Sequence, residues 1–191
     1  MADTWAWLAA ENERRSVSAR LLSSVLFLRA TLLAIAKVPE LNAFYDDGRS
    51  EPLPYVNLGV AVALRGGGLI APAILDAHTL TLDALSEAFK DLVNRARSCQ
   101  LRSSEISSAT LTVTSLGERG VETVFPIIIP PQVAMVGFGS VVERPMVVGS
   151  SVVPRATVTV TLAADHRVSD GHRGGLYLAA LAAILKEPPG C

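Results

Sequence analysis

The sequence predicts an α/β domain in which helices pack on a mixed β-sheet, and three observations carry that expectation. Residues 18–36 place Leu21, Leu22, Val25, Leu26, Leu28, Leu32, Leu33 and Ile35 at steps of three and four, the period of a helix buried along one broad face. A second helix is announced at Thr81 by a capping hydroxyl, Asp83 in the first turn and a stripe of Leu82, Leu85, Ala88, Phe89, Leu92 and Val93. Runs such as residues 109–116 and 156–164 alternate threonine with apolar side chains at the strand period.

Taken in order, residues 18–36 form the first helix, which Pro39 closes. Tyr45-Asp-Asp-Gly48 is a polar turn before a buried strand over residues 56–64, and Gly66-Gly67-Gly68 forms the loop after it. That glycine run lacks the lysine and spacing of a phosphate loop, so it reads as a turn. Residues 69–75 are a further short strand; Pro72, lacking an N–H, confines it to an edge or interrupts it. The Thr81 helix runs to about Ser98. Strands follow at residues 109–116, ended by Gly117, at 132–139 after a proline-flanked approach, and at 156–164. Residues 176–185, rich in Ala and Leu, form a closing helix ended by Pro188-Pro189-Gly190. With no repeat or low-complexity segment, the 191 residues read as a single domain.

Composition excludes several classes. A chain that is 50% hydrophobic and 18% charged has a large core, and its formal charge of −1 gives no reason to expect nucleic acid. The apolar stretch 21–37 is interrupted by Arg29 and falls short of the roughly 20 residues that span a bilayer, so neither a membrane span nor a secretory signal is expected. The expected location is the cytoplasm. Cys99 and Cys191 have no metal-ligand spacing; no metal or disulfide framework is expected, and Cys99 reads as a buried or incidental thiol. So high an apolar content in so short a chain also suggests surface covered by further copies.

The densest chemistry is Asp165-His-Arg-Val-Ser-Asp-Gly171, directly after the 156–164 run. A histidine where a half-buried strand gives way to a turn can be both held and exposed, and an imidazole that titrates near neutrality is suited to moving a proton. The plainer reading of such a histidine is a hydrogen-bonded turn residue; the surrounding motif favours catalysis. His78 and His172 read as surface or loop residues.

Residues 38–188 resemble the catalytic domain of the 2-oxoacid dehydrogenase acyltransferases and, more distantly, chloramphenicol acetyltransferase. Five blocks in family order carry the resemblance: Val38-Pro-Glu-Leu-Asn-Ala43; Val56-Asn-Leu-Gly-Val-Ala-Val62 with Gly68-Leu-Ile-Ala-Pro72; Leu111-Thr-Val-Thr-Ser-Leu-Gly117; Pro126-Ile-Ile-Ile-Pro-Pro-Gln132; and the His166 motif. The resemblance implies a chloramphenicol acetyltransferase-like fold, a two-layer mixed sheet with helices on one side. It implies His166 as general base and Thr114 as oxyanion donor, where the family has a serine, with Ser115 as the fallback. Asp165 and Arg167 are implied supports, Asp170 a partner for an arginine that fixes the turn, and Gly171 a residue permitting the turn's backbone. No metal or covalently bound cofactor is implied; acetyl-CoA or another acyl-CoA is the co-substrate. A homotrimer, or a multiple of trimers, is implied, with Thr114 of one chain serving His166 of a neighbour.

The chain also departs from the family. Asp3-Thr4 matches the position after the family's first strand, so the usual N-terminal arm, helix and first strand, and any lipoyl or subunit-binding domain, are expected to be absent. Ile129 stands where asparagine is usual, and His172-Arg-Gly-Gly175 where small apolar residues open the last helix. These differences suggest a changed acceptor, and the chain is similar to the acetyltransferases of tetronate-type natural-product pathways. The leading expectation is therefore acetyl transfer to a hydroxyl of a small-molecule or carrier-protein-bound biosynthetic intermediate. The alternatives are a catalytic core moving acyl groups between dihydrolipoamide and CoA, and a non-catalytic trimeric scaffold.

Overall fold

Five strands form the central sheet of the computed structural model, which describes residues 1–64, 66–117 and 121–188. In chain order the strands are β1 (Ala43–Asp46), β2 (Arg49–Pro52), β3 (Leu58–Val60), β4 (Val62–Ala63), β5 (Leu69–Ile70), β6 (Ala73–Ile74), β7 (Leu111–Ser115), β8 (Ala134–Phe138), β9 (Val142–Val148), β10 (Ser151–Thr157) and β11 (Val160–Ala164). The helices are α1 (Ala2–Arg14), α2 (Ser23–Ile35), α3 (Leu82–Arg97), α4 (Ser103–Ser107) and α5 (Gly171–Lys186). The central sheet has the order β11-β8-β7-β3-β6, with β7 parallel to both β3 and β8 and antiparallel strands at either edge.

Alternation along these strands builds two unlike faces. On one, Leu58, Val60, Leu111, Val113, Val136 and Phe138 are buried against Val25, Phe27, Leu28, Leu85, Leu92, Tyr177 and Leu181 of α2, α3 and α5. Phe27 stacks on Phe138 with ring centroids 4.6 Å apart. The other face is made of Gly59, Thr112, Gly137 and Thr161, small enough for the backbone of residues 121–124 to lie on it. Glycine is required there by close approach: a Cβ on Gly137 would come within 2.8 Å of Val124 Cγ1, and one on Gly139 would overlap the Glu122 carbonyl. Thr161 Oγ1 donates to the Val124 carbonyl and ties the segment down.

Several expectations hold and others need correction. The Thr81 hydroxyl accepts from Ala84 N at 3.3 Å and starts α3, and Gly66, Gly67 and Gly68 all have left-handed φ, as a turn requires. The predicted helix 18–36 starts only at Ser23, after a separate 3-10 turn at Val17–Ala19. Val17–Ile35 is, by length and composition, apolar enough to cross a bilayer, but more than half of it is buried inside the protein, as in a core helix. Tyr45–Gly48 lies in a hairpin, β1–β2, whose turn has Asp47 and Gly48 at positive φ. The single strand expected at 56–64 breaks at Ala61 into β3 and β4, and 69–75 divides at Pro72 into β5 and β6. The run 156–164 is shared between the end of β10 and β11, because the chain leaves the β9–β10 hairpin and turns into the sheet at Val158-Thr159. The closing helix starts at Gly171 rather than Leu176, since Asp170 caps it. Cys99 is exposed, at a left-handed position after α3. Pro189, Gly190 and Cys191 lie outside the described residues.

Candidate active site

The His166 motif is the turn from β11 into α5, and its shape is set by charged side chains. Asp165 N donates to Val133 O at 2.8 Å, which anchors the turn beside the start of β8. The Asp165 carboxylate accepts from Arg167 N at 3.0 Å and from the Arg167 guanidinium, with Nη2 at 2.6 Å. These bonds hold the Asp165 carboxyl down to about 2. The guanidinium also lies over the Tyr45 ring, 3.8 Å from its centroid. His166 itself is exposed, and among the described residues its ring makes no hydrogen bond.

Asp170 and Gly171 act differently from the expectation. The Asp170 carboxylate accepts from Arg173 N at 2.9 Å and caps α5, a bond that lowers its pKa. No arginine side chain pairs with it among the described residues; the Arg173 guanidinium pairs with Glu40 instead and lowers the Glu40 pKa. Gly171 has no positive φ, and a Cβ there would meet open space, so neither its backbone nor its packing demands glycine. His172 and His78 are exposed, and His78 Nδ1 accepts from Val56 N at 3.2 Å.

Thr114 lies on β7 opposite Gly137 of β8, half-buried, with Ser115 beside it at the strand's end. Ser115 Oγ accepts from Gly117 N at 3.2 Å, leaving its own O–H to donate elsewhere. Both residues line a cavity of about 450 Å³ between the sheet end and the helix layer, walled by Phe27, Val60, Val62, Phe89 and Val113, with Arg97 on its lining. A second cavity, of about 430 Å³, is lined by Phe44, Ile129, Pro131 and Gln132; Leu69 borders both. Thr112 Oγ1 donates to Gln132 Oε1 at 2.7 Å, so the second cavity's polar wall is fixed from β7.

Within one chain Thr114 and His166 are not brought together. Thr114 is in register with Gly137, and Gly137 with Thr161, at the beginning of β11. His166 lies in the turn two residues beyond the far end of that strand at Ala164, so the three extended steps from Thr161 to Ala164, about 10 Å, and two strand spacings, about 10 Å, already separate them. They occupy opposite ends of the sheet.

Sequence reasoning missed Tyr45 and Glu40. Glu40 lay inside a block singled out for resemblance, but its pairing with a residue 133 positions away leaves no local signal. The same block supplies Asn42, which with Thr110 and Asn57 forms a buried network: Thr110 Oγ1 donates to Asn42 Oδ1 at 2.6 Å and accepts from Asn57 N at 3.1 Å. Among the described residues no three His, Cys, Asp or Glu side chains are grouped to hold a metal ion.

Residues 1–190 match the family model of the 2-oxoacid dehydrogenase acyltransferase catalytic domain. The dihydrolipoyllysine-residue acetyltransferase component of the pyruvate dehydrogenase complex of Mycobacterium bovis is 37% identical over 186 residues, covering 94% of this chain but 33% of that protein. The chain thus spans about a third of that relative's length. Azotobacter vinelandii dihydrolipoamide acetyltransferase, in whose catalytic mechanism a serine, a histidine and an asparagine have been investigated, superposes with a TM-score of 0.90 at 25% identity, covering 97% of this chain and 77% of that one. The cubic core of a pyruvate dehydrogenase multienzyme complex gives 0.90 at 26%, over 96% and 76% of the two chains. Chloramphenicol acetyltransferase, at 12% identity and a TM-score of 0.61 over 91% and 82%, shares the fold.

Proposed function

The chain belongs to the 2-oxoacid dehydrogenase acyltransferase catalytic-domain family, and from that premise we propose that it moves an acyl group between CoA and the thiol of a dihydrolipoyl arm. This reverses the order of preference read from the sequence, where Ile129 and the 172–175 segment pointed to a hydroxyl acceptor; the dihydrolipoyllysine acetyltransferase named among its relatives favours the thiol. The observation that carries the proposal is the state of His166: exposed, with no hydrogen bond at its ring among the described residues, and held on a turn braced from several sides.

His166 takes the acceptor S–H proton as sulfur attacks the thioester carbonyl. The new C–S bond forms, negative charge collects on the carbonyl oxygen, and the Thr114 O–H donates to it. When the old C–S bond breaks, the departing thiolate takes the proton back from His166. In the Azotobacter enzyme the investigated serine and histidine are separated by the same number of positions as Thr114 and His166, and its asparagine follows the histidine by the same step as Asp170 follows His166. That match supports the role of Thr114. The distance between Thr114 and His166 in one chain supports a site shared between copies, and hence a homotrimer or a multiple of trimers. Exposed Phe125, Ile127, Val147 and Val152, each at least 68% accessible, supply apolar surface for such contacts.

The test incubates the protein with acetyl-CoA and either dihydrolipoamide or hydroxyl acceptors and measures acylated product by mass spectrometry. Transfer to dihydrolipoamide, lost in His166→Ala, is the expected result. Transfer to hydroxyls alone would restore the biosynthetic reading, and equal background in both proteins would leave a scaffold. Light scattering should give a mass that is a multiple of three chains.

A further inference from the structure

His166 is exposed, yet a base must meet its substrate in one orientation, so something outside its own turn must hold it. The turn is tied at two points to residues 40–45: Glu40 pairs with Arg173, and the Tyr45 ring carries the guanidinium of Arg167, which in turn grips Asp165 next to His166. Tyr45 is itself fixed, since its N donates to Pro131 O at 2.9 Å and its neighbour Phe44 bridges to Gln132. A chain of contacts therefore runs from the 130–132 segment through the Tyr45 ring and Arg167 to both backbone flanks of His166.

We propose that Tyr45 is a positioning residue for His166, acting through the face of its ring on Arg167 and not through its hydroxyl. The proposal rests on His166 being the base. An aromatic face attracts a guanidinium by its quadrupole, so phenylalanine at position 45 should do the same work, whereas an aliphatic side chain of similar bulk fills the space without that attraction.

The experiment compares Tyr45→Phe and Tyr45→Leu with the parent in steady-state kinetics, thermal unfolding and NMR of ¹³Cε1-labelled histidine, with the His166 signal assigned by its loss in His166→Ala. Tyr45→Leu should lower kcat about tenfold with little change in KM for acyl-CoA, because a displaced base costs rate rather than binding. Its His166 resonance should shift and narrow with added motion while those of His78 and His172 stay in place. Tyr45→Phe should match the parent in all three measurements. Equal kcat and equal His166 signals in the two variants would overturn the proposal. So would a lowered melting temperature alone. If the parent shows no acyl transfer, the functional reading falls, and the His166 resonance still decides whether the ring holds the turn. Should Tyr45→Leu fail to fold, Arg167→Gln removes the cation with the ring in place and should move the same signal.

Discussion

At the Thr114 end of the sheet position is set by backbone, and at the His166 end by side chains. Thr114 sits on a strand with parallel neighbours on both sides, its alternate residues Leu111 and Val113 almost fully buried. Moving its hydroxyl means disturbing the ladder. The His166 turn is exposed, and its shape depends on Asp165, Arg167, Tyr45, Asp170, Arg173 and Glu40. A single exposed ion pair contributes about 0–1 kcal/mol, so one tether would hold the turn weakly, and the structure has several. The proposed oxyanion donor is thus part of the fold, whereas the proposed base can be loosened with the fold intact.

That contrast predicts how each end breaks. His166→Ala should lower kcat by about 10²–10⁴ without moving the melting temperature, since among the described residues its ring makes no hydrogen bond. A large loss of stability would mean that the imidazole holds the turn rather than being held by it. Thr114→Val, which replaces the hydroxyl with a methyl on the same branched frame, should cost about 10²–10³ in kcat, read in the same assay. Thr114→Ser should stay within a few-fold of the parent, because the donor remains and the strand fixes its place. If valine is harmless and Ser115→Ala is not, the neighbouring hydroxyl is the donor.

The two ends also differed in how well they could be read beforehand. β7 and α3 were legible because their signals are local: alternating threonines in one, a cap and an apolar stripe in the other. His166 was legible because seven adjacent residues carry its motif. Its bracing was not, since Glu40 and Tyr45 reach it only through tertiary contact, and Asp170, expected to face an arginine side chain, meets that residue's backbone instead. The β9–β10 hairpin was missed for a related reason. Most of its residues are exposed, so their alternation marks no buried face, and Pro145 and Pro154 facing each other blur the strand pattern.

Asp170→Ala removes the cap of α5 and should cost about 1 kcal/mol in urea unfolding, with Asp170→Asn restoring most of it. Because α5 contributes Tyr177, Leu181 and Leu185 to the core, this loss should appear as global stability and leave Thr114 in place. A paired drop in kcat would show that the cap orients His166 as well as the helix.

The smallest effect expected is an acid titration. Arg167 and its backbone N–H hold the Asp165 carboxyl at about 2, below the value of about 3.9 for an unfolded aspartate. A depressed carboxyl stabilises the fold fully above the unfolded pKa and ceases to do so as pH falls through the folded one, so the loss belongs between about pH 4 and pH 2. The carboxyls of Glu40, Glu105 and Asp170 are also lowered, so the parent curve alone does not isolate the turn. Asp165→Asn keeps an oxygen to accept from Arg167 N and removes the charge. Urea unfolding of both proteins across that range should show the parent losing stability more steeply. Parallel curves would mean that the His166 turn, like the strand beneath Thr114, is held by its backbone, and the contrast between the two ends of the sheet would vanish.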